Sequence, residues 1–272
     1  MARARPRSPL PAPATATRPP RGAVVLLGFA LGGFVDGILL HQVLQWHHLL
    51  SAVHDGSIPL ATQIAADGGF HLVMYALALA AGWMLWRARD RLADAAGREV
   101  LVLALAGFAL WQAVDVVGFH WIARIHRVRM GVAHPLAWDL GWLAVFGLVP
   151  AVIAGSLARR RGGNGPGAQR VAAALAVATL GSGAWAARPP ASADEVLVLL
   201  APGVRPVDAL AVLGQAGGRV TWVDQEGRVW AVRDLRQGST WQLLTRGAIA
   251  IGASPVGLGC ASWSRTVAAK AS

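Results

Sequence analysis

Two stretches of the sequence place aspartate and histidine at the same spacing within long apolar runs. The first contains Asp36, His41 and His47, and the second contains Asp115, His120 and His126, so both follow the pattern Asp-x4-His-x5-His. Carboxylate oxygens and neutral imidazole nitrogens are ligands of Zn²⁺, Cu²⁺ and Fe²⁺. Ionisable groups inside a membrane helix are costly and are functional by default. The repeated pattern therefore predicts binding of a divalent transition metal.

The depth of these groups in straight helices indicates which of them share an ion. At 1.5 Å per residue, His41, His71 and His120 lie at a common depth in three helices, and Asp36 and Asp115 lie deeper. His47 and His126 are then about 9 Å beyond that layer. We expect His41, His71 and His120 to bind the metal, assisted by the two aspartates. Asp36 and His41 point about 140° apart on a straight α-helix, so one ion need not bind both.

The same residues permit other chemistry. His41 and His120 on parallel helices could ligate haem b. A metal-free proton or ion pathway could run through Asp36, His41, Asp115 and His120. The histidines could also only form hydrogen bonds between helices. Since Leu143 stands where a fourth helix would match His71, one coordination position stays open, which suits catalysis or metal transfer.

The composition is that of a membrane protein. The chain has 272 residues, of which 55% are hydrophobic and 14% charged, whereas charged residues make up about a quarter of a soluble domain. A net charge of +11 raises the question of nucleic acid, but the arginines flank apolar runs and form no basic face, so no nucleic-acid partner is expected. The single cysteine, Cys260, excludes an intramolecular disulfide and cysteine-based metal sites.

Five apolar stretches have about the length of 20 residues that a membrane-spanning helix needs. They cover residues 23–47, 68–86, 99–120, 137–157 and 169–187. The first four form an all-α transmembrane domain over residues 22–160, built as two tandem helical hairpins. A loop and a fifth helix occupy residues 161–189, although that segment also has the layout of a cleavable signal peptide. Residues 1–21 are expected to be a disordered tail.

The distribution of arginine predicts the orientation. Thirteen arginines lie in the segments before helix 1, between helices 2 and 3 and between helices 4 and 5, against three in the opposite connections. Because positive residues stay in the cytoplasm, the N-terminus is expected there and the C-terminus outside a bacterial plasma membrane. The histidines then lie in the outer leaflet of the lipid bilayer, which is the expected partner of the spans, or in the outer loops.

Residues 190–272 have the composition of a small folded domain. Their pattern predicts a strand, a helix, a hairpin turning at Glu226-Gly227, a second helix and a last strand. The order β-α-β-β-α-β is that of the ferredoxin-like fold. We expect this extracytoplasmic module to dock a membrane protein partner or to aid assembly.

The string GGFVDGILLHQVLQWHHLLSAVHD, followed by RIHRVR and then by Asp139, resembles a bacterial family of four-helix inner-membrane proteins catalogued as a domain of unknown function. The resemblance covers roughly residues 22 to 160. It implies an integral membrane protein and brings no substrate or reaction with it. The fifth helix and the C-terminal module lie outside the resemblance and look like an appended unit.

Overall fold

The computed structural model describes residues 18–44, 46–53, 58–93, 95–160, 167–186, 195–236 and 238–252. Within these residues, four helices are long and apolar enough to cross a membrane, as the sequence predicts. They are Arg21–His41, Leu60–Arg87, Gly97–Ala123 and Pro135–Arg159. The tail before residue 18, His54 and Cys260 lie outside the described residues.

The helices of the bundle are α1 (Arg21–Asp36), α2 (Leu60–Arg87), a short α3 (Arg89–Ala93), α4 (Gly97–Ala113), α5 (Pro135–Trp142) and α6 (Val149–Arg159). The first span is the most buried, with 61% of its apolar window inside the protein, and the last is the least buried, with 17%. Large apolar side chains such as Leu72, Leu79 and Val145 are exposed on the outside of the bundle. These side chains form a surface suited to lipid.

Three spans change from α-helical to π-helical winding partway along. The π segments are π1 (Gly37–Val43), π2 (Val114–Ala123) and π3 (Leu143–Leu148), of which π3 joins α5 to α6. A π-helix bonds residue i to residue i+5, so residues five apart lie on one face. The expected divergence of Asp36 and His41 by 140° is therefore wrong, because it assumed α-helical winding at this place.

Both histidine-bearing spans end earlier than residues 47 and 126. π1 ends at Val43 and π2 at Ala123, where Arg124 takes a left-handed backbone conformation with φ of 55°. The chain then turns back toward the bundle, and His47 and His126 are 3% and 1% exposed. The expectation that these two histidines lie about 9 Å beyond the others is wrong, because it extended the helices through the turns.

Helices α1 and α4 cross in close contact through glycine. A Cβ atom at Gly28 would overlap the carbonyl oxygen of Ala104, and one at Gly107 would overlap the carbonyl oxygen of Val25. The two contacts are reciprocal, since Gly107 and Ala104 stand 79 residues after Gly28 and Val25. This close approach brings the ends of both helices together.

Helix α2 begins at Leu60, eight residues before the predicted start at 68. Its first turns carry Leu60, Ala61 and Ile64, which pack against the C-terminal sheet. Polar residues in the same turns, such as Gln63, interrupt the apolar run on which the prediction rested. The packing against the sheet explains why the helix extends beyond that run.

Helix α7 (Ala168–Ala186) corresponds to the fifth predicted span. It packs against the bundle through Ala168 and Ala172, and the hydroxyl of Tyr75 on α2 donates a hydrogen bond to the carbonyl of Gly183 at 2.6 Å. It is not among the four helices with the hydropathy of a membrane span, since it is rich in alanine and glycine. Among the described residues, four helices therefore have the length and composition of a membrane span, and the fifth predicted span is not one of them.

The C-terminal module consists of β1 (Glu195–Leu200), α8 (Pro206–Gln215), β2 (Arg219–Val223), β3 (Val229–Arg233), α9 (Ser239–Thr245) and β4 (Ala248–Gly252). The strands form an antiparallel sheet in the order β2-β3-β1-β4. Because side chains alternate along a strand, Val196 and Val198 of β1 pack on the side of α8 and α9, whereas Leu197 and Leu199 face α2. The sheet thus lies against the end of α2 that faces the histidines.

The close crossing of α1 and α4 generates a prediction. Gly107→Ala places a methyl group against backbone, which cannot move without separating the helices, and overpacking of this kind costs about 1–3 kcal/mol. We expect a lower thermal unfolding midpoint in detergent. Gly118→Ala is the control, because a Cβ at Gly118 meets no atom within 4 Å; equal midpoints for the two variants would contradict the packing.

Candidate metal centre

Two groups of three buried side chains lie where the first and third spans end. One group is Asp36, His41 and His47, and the other is Asp115, His120 and His126; within each group the candidate ligand atoms lie within 4.8 Å of one another. All six side chains are at most 5% exposed. The residues that the sequence pattern singled out therefore do meet, but in two groups and not in one layer.

In the first group, which we call centre A, His41 and His47 approach through the same ring atom. Their Nε2 atoms are 3.0 Å apart, and the Nδ1 of His47 donates to the carbonyl oxygen of Val128 at 2.9 Å. Two nitrogens bound to one tetrahedral Zn²⁺ are about 3.3 Å apart, given Zn–N bonds of about 2.0–2.1 Å. Asp36 completes the group, and its Oδ1 has no hydrogen-bond partner among the described residues.

In the second group, centre B, both oxygens of Asp115 face imidazole nitrogens. Its Oδ2 lies 3.0 Å from the Nε2 of His120, and its Oδ1 lies 3.3 Å from the Nε2 of His126. The Nδ1 of His126 donates to the carbonyl oxygen of Leu49 at 3.0 Å. This bond mirrors the one from His47, because Leu49 and Val128 each follow the second histidine of their own half by two residues.

Two aspartates outside the groups lie beside the first histidine of each. His120 is hydrogen-bonded to its aspartate, whereas His41 is within ion-pair distance of its aspartate without hydrogen-bond geometry. The Oδ1 of Asp67 on α2 lies 3.2 Å from the Nδ1 of His41, and the Oδ1 of Asp139 on α5 lies 3.0 Å from the Nδ1 of His120. The backbone amides of Leu49 and Val128 donate to the same two oxygens. A carboxylate on the far nitrogen of a metal-binding histidine fixes its tautomer and raises its basicity.

Five histidines in and beside the centres have the same ring orientation. In each of them the Nδ1 atom faces a carboxylate or carbonyl oxygen, and the Nε2 atom points into the protein. They are His41, His47, His71, His120 and His126. An imidazole whose Nδ1 carries the proton presents a lone pair at Nε2, so all five are oriented as nitrogen ligands.

The facing atoms at His126 repel each other when the ring is neutral, unless a proton or a metal ion lies between them. Because its Nδ1 donates to Leu49, the neutral ring offers a lone pair toward the Asp115 carboxylate, which also has only lone pairs. Burial lowers the pKa of His126, and burial together with the neighbouring His41 and His126 lowers the pKa of His47 well below its usual range. A lowered pKa favours the neutral imidazole, which is the form that binds metal.

The two centres are in contact through one histidine of each. The rings of His47 and His126 are stacked, with centroids 4.5 Å apart and an angle of 15° between the planes. The rings of His41 and His120 stand almost perpendicular to this pair, with centroids 4.6 Å from those of His47 and His126, respectively. The four imidazoles thus form one row in the order His41, His47, His126 and His120.

His71 lies beside the row but in neither group. Its ring centroid is 6.5 Å from that of His41, its Nδ1 donates to the carbonyl oxygen of Asp67 at 2.9 Å, and its Nε2 has no hydrogen-bond partner among the described residues. His120, with which the sequence pairs it, belongs to centre B. The three histidines expected at one depth are therefore distributed over three positions.

The anchoring residues were not predicted from the sequence, where Asp139 stood only in the family motif and Asp67 had no role. Trp121 and Arg127 both donate hydrogen bonds to Asp139. A usable signal existed, because Asp67 and Asp139 are acidic residues next to apolar spans, where a charge needs a partner. The partners themselves come from distant segments and are visible only in the fold.

Comparison with known proteins identifies a family. Neither the curated proteins nor the solved structures contain one that this chain matches. A family model described as "Predicted membrane protein (DUF2243)" matches residues 23–161, which include both centres and both anchoring aspartates. Since the match spans more than half of the chain, this protein belongs to that family of predicted membrane proteins of unknown function.

Proposed function

We propose that the protein is an integral membrane metalloprotein that binds two divalent transition-metal ions, one in centre A and one in centre B. The observation that carries the proposal is the common orientation of the imidazoles, whose Nδ1 atoms are held by oxygen and whose Nε2 atoms converge with two carboxylates. Two histidines and one carboxylate are also the ligands of catalytic zinc and non-haem iron sites, which keep an open position. Zn²⁺, Cu²⁺ and Fe²⁺ all fit this set.

The balance of charge supports the same conclusion. Four aspartates surround the row of histidines, and Arg127 is the one permanently charged cation paired with any of them in the described residues. These carboxylates are Asp36, Asp67, Asp115 and Asp139. Buried carboxylates are stable only when paired or bound to metal. Two divalent ions would offset this negative charge, as would protonation of the histidines that face the carboxylates, and metal content distinguishes the two.

Binding of haem b, with His41 and His120 as axial ligands, is the alternative function, and it has less support than binding of two metal ions. The rings of His47 and His126 lie in the row between these two histidines, where a porphyrin would have to stand. A proton pathway through the same residues requires no metal. The visible spectrum and the metal content of the purified protein separate the three functions, because haem gives an intense Soret band.

We further propose the setting of this centre. Equivalent residues of the two halves make equivalent contacts: His47 and His126 each donate a hydrogen bond to a carbonyl oxygen of the other half. This correspondence supports two tandem hairpins in parallel orientation. The arginine distribution supports an N-terminus in the cytoplasm of a bacterium and a metal centre near the outer face. The sheet order supports a ferredoxin-like C-terminal module, and its exposed Val207, Leu210 and Trp241 offer a surface for a membrane protein partner.

Metal content tests the proposal directly. Protein purified in detergent and loaded with Zn²⁺ should contain about two ions per chain by elemental analysis. His41→Ala should lose the ion of centre A, and His120→Ala that of centre B, because each removes one of three ligands. His134→Ala, at an exposed histidine of the same region, should keep both ions. A double variant that stays folded and still binds two ions would refute the site.

The anchoring carboxylates generate a separate prediction. Asp139→Asn keeps the shape of the side chain but removes the charge that holds His120, so affinity at centre B should fall about 10- to 100-fold. Competition with a chromophoric chelator measures this fall. Asp208→Asn is the control, since that exposed aspartate of α8 pairs only with Arg205 in the described residues. An unchanged affinity of Asp139→Asn would mean that Asp139 does not act through the metal ligand.

A further inference from the structure

The two centres differ in three respects, and each difference makes centre A more open than centre B. We propose that centre A exchanges its metal ion with solvent at the histidine-bearing end of the bundle, whereas centre B retains its ion. This inference rests on the proposed paired metal centre. It assigns His48 and Asp67 to the path of the exchanging ion and His71 to an intermediate ligand.

The first difference is the residue that pairs with the Oδ2 atom of each anchoring aspartate. In centre B it is Arg127, whose Nη1 lies 2.8 Å from the Oδ2 of Asp139. In centre A the corresponding residue is His48, whose Nδ1 lies 2.6 Å from the Oδ2 of Asp67. A guanidinium cannot bind a metal ion because it has no lone pair to offer, whereas an imidazole can.

The second difference is access. The side chains of Asp67 and His48 are 14% and 17% exposed, so water reaches the anchoring carboxylate of centre A. Beside centre B Arg127 is 30% exposed, but the side chain of the anchoring Asp139 is fully buried. Asp139 also receives hydrogen bonds from Trp121 and from the backbone amide of Val128. An ion approaching centre B would have to displace this closed set of donors, while one approaching centre A meets a carboxylate and an imidazole.

The third difference lies deeper, on the side of α2 and α5. Beside centre A stand Gly37 and His71, and a Cβ at Gly37 would come within 2.6 Å of the Nε2 of His71. The corresponding residues beside centre B are Val116 and Leu143, which belong to one apolar cluster with Trp142. Valine and leucine thus seal centre B, whereas glycine leaves room for an imidazole at centre A.

The buried Nε2 atom of His71 is the intermediate ligand on the path of the ion. This atom has no hydrogen-bond partner among the described residues, and its ring is held by the bond of its Nδ1 to Asp67. The ring lies 6.5 Å from that of His41, so a metal ion leaving His41 has a nitrogen to bind before it reaches Asp67 and His48. Ligand exchange in such steps avoids a bare ion in an apolar interior.

The rate of metal loss tests this assignment. The full chain in detergent is loaded with Zn²⁺ alone and mixed with excess EDTA, and bound zinc is followed over time. We expect two phases of about one ion each, the second at least tenfold slower than the first. His48→Arg and His71→Leu, which copy centre B, should each slow the first phase at least tenfold and leave the second unchanged. Arg127→His should speed the second phase.

The controls and outcomes separate this inference from the proposed function. His134→Arg makes the same substitution at an exposed histidine away from the path and should change neither phase. Two ions lost in a single phase, or a first phase unchanged in both His48→Arg and His71→Leu, would overturn the exchange path and leave the metal centre standing. No bound zinc in the folded wild-type chain would overturn both. If Arg127→His does not fold, the other two variants decide.

Discussion

The orientation of the imidazole rings is the constraint on which the centre depends. A histidine in an apolar bundle can point either nitrogen inward, and a hydrogen bond from Nδ1 to a fixed oxygen removes that choice. The oxygens come from the opposite half of the bundle: Val128 receives the bond from His47, and Leu49 receives the bond from His126. The geometry of each centre therefore depends on the position of the other half.

This exchange of bonds requires that α1 and α4 approach closely, and glycine makes the approach possible. Where Gly28 and Gly107 cross, each helix lies on the backbone of the other, and beyond the crossing Leu40 of π1 and Val116 of π2 belong to one apolar cluster. π-helical turns are rare because their hydrogen bonds are less favourable, and they occur often at functional sites. In this protein they place residues five apart, such as Asp36 and His41, on one face toward a single point.

The two halves carry the same candidate ligands in the same arrangement, but the residues around the ligands differ. Both carry an aspartate, two histidines and an anchoring aspartate, while the residues next to them differ in size and polarity. Gly37 and His71 on one side correspond to Val116 and Leu143 on the other. Differences at the edge of a common ligand set change access and the ease of ligand exchange without changing the ligands. A pair of like centres can in this way hold metal ions with different lifetimes.

The sequence by itself determined the class of protein, the four spans, the order of elements in the C-terminal module and the repeated Asp-x4-His-x5-His pattern. These follow from composition and local periodicity, which need no knowledge of the fold. It placed the fifth helix without settling whether that helix crosses the membrane. The family match over residues 23–161 agrees with the resemblance that the motifs indicate.

Only the tertiary structure decided which histidines meet. Straight helices would place His47 and His126 far from Asp36 and Asp115. This expectation failed because the sequence does not reveal the change to π-helical winding or the turns after Val43 and Ala123. The oxygens that orient the rings are backbone carbonyls and aspartates about 20 to 80 residues away. A backbone carbonyl has no signature in the sequence, since every residue has one, so its role appears only when the chain is folded.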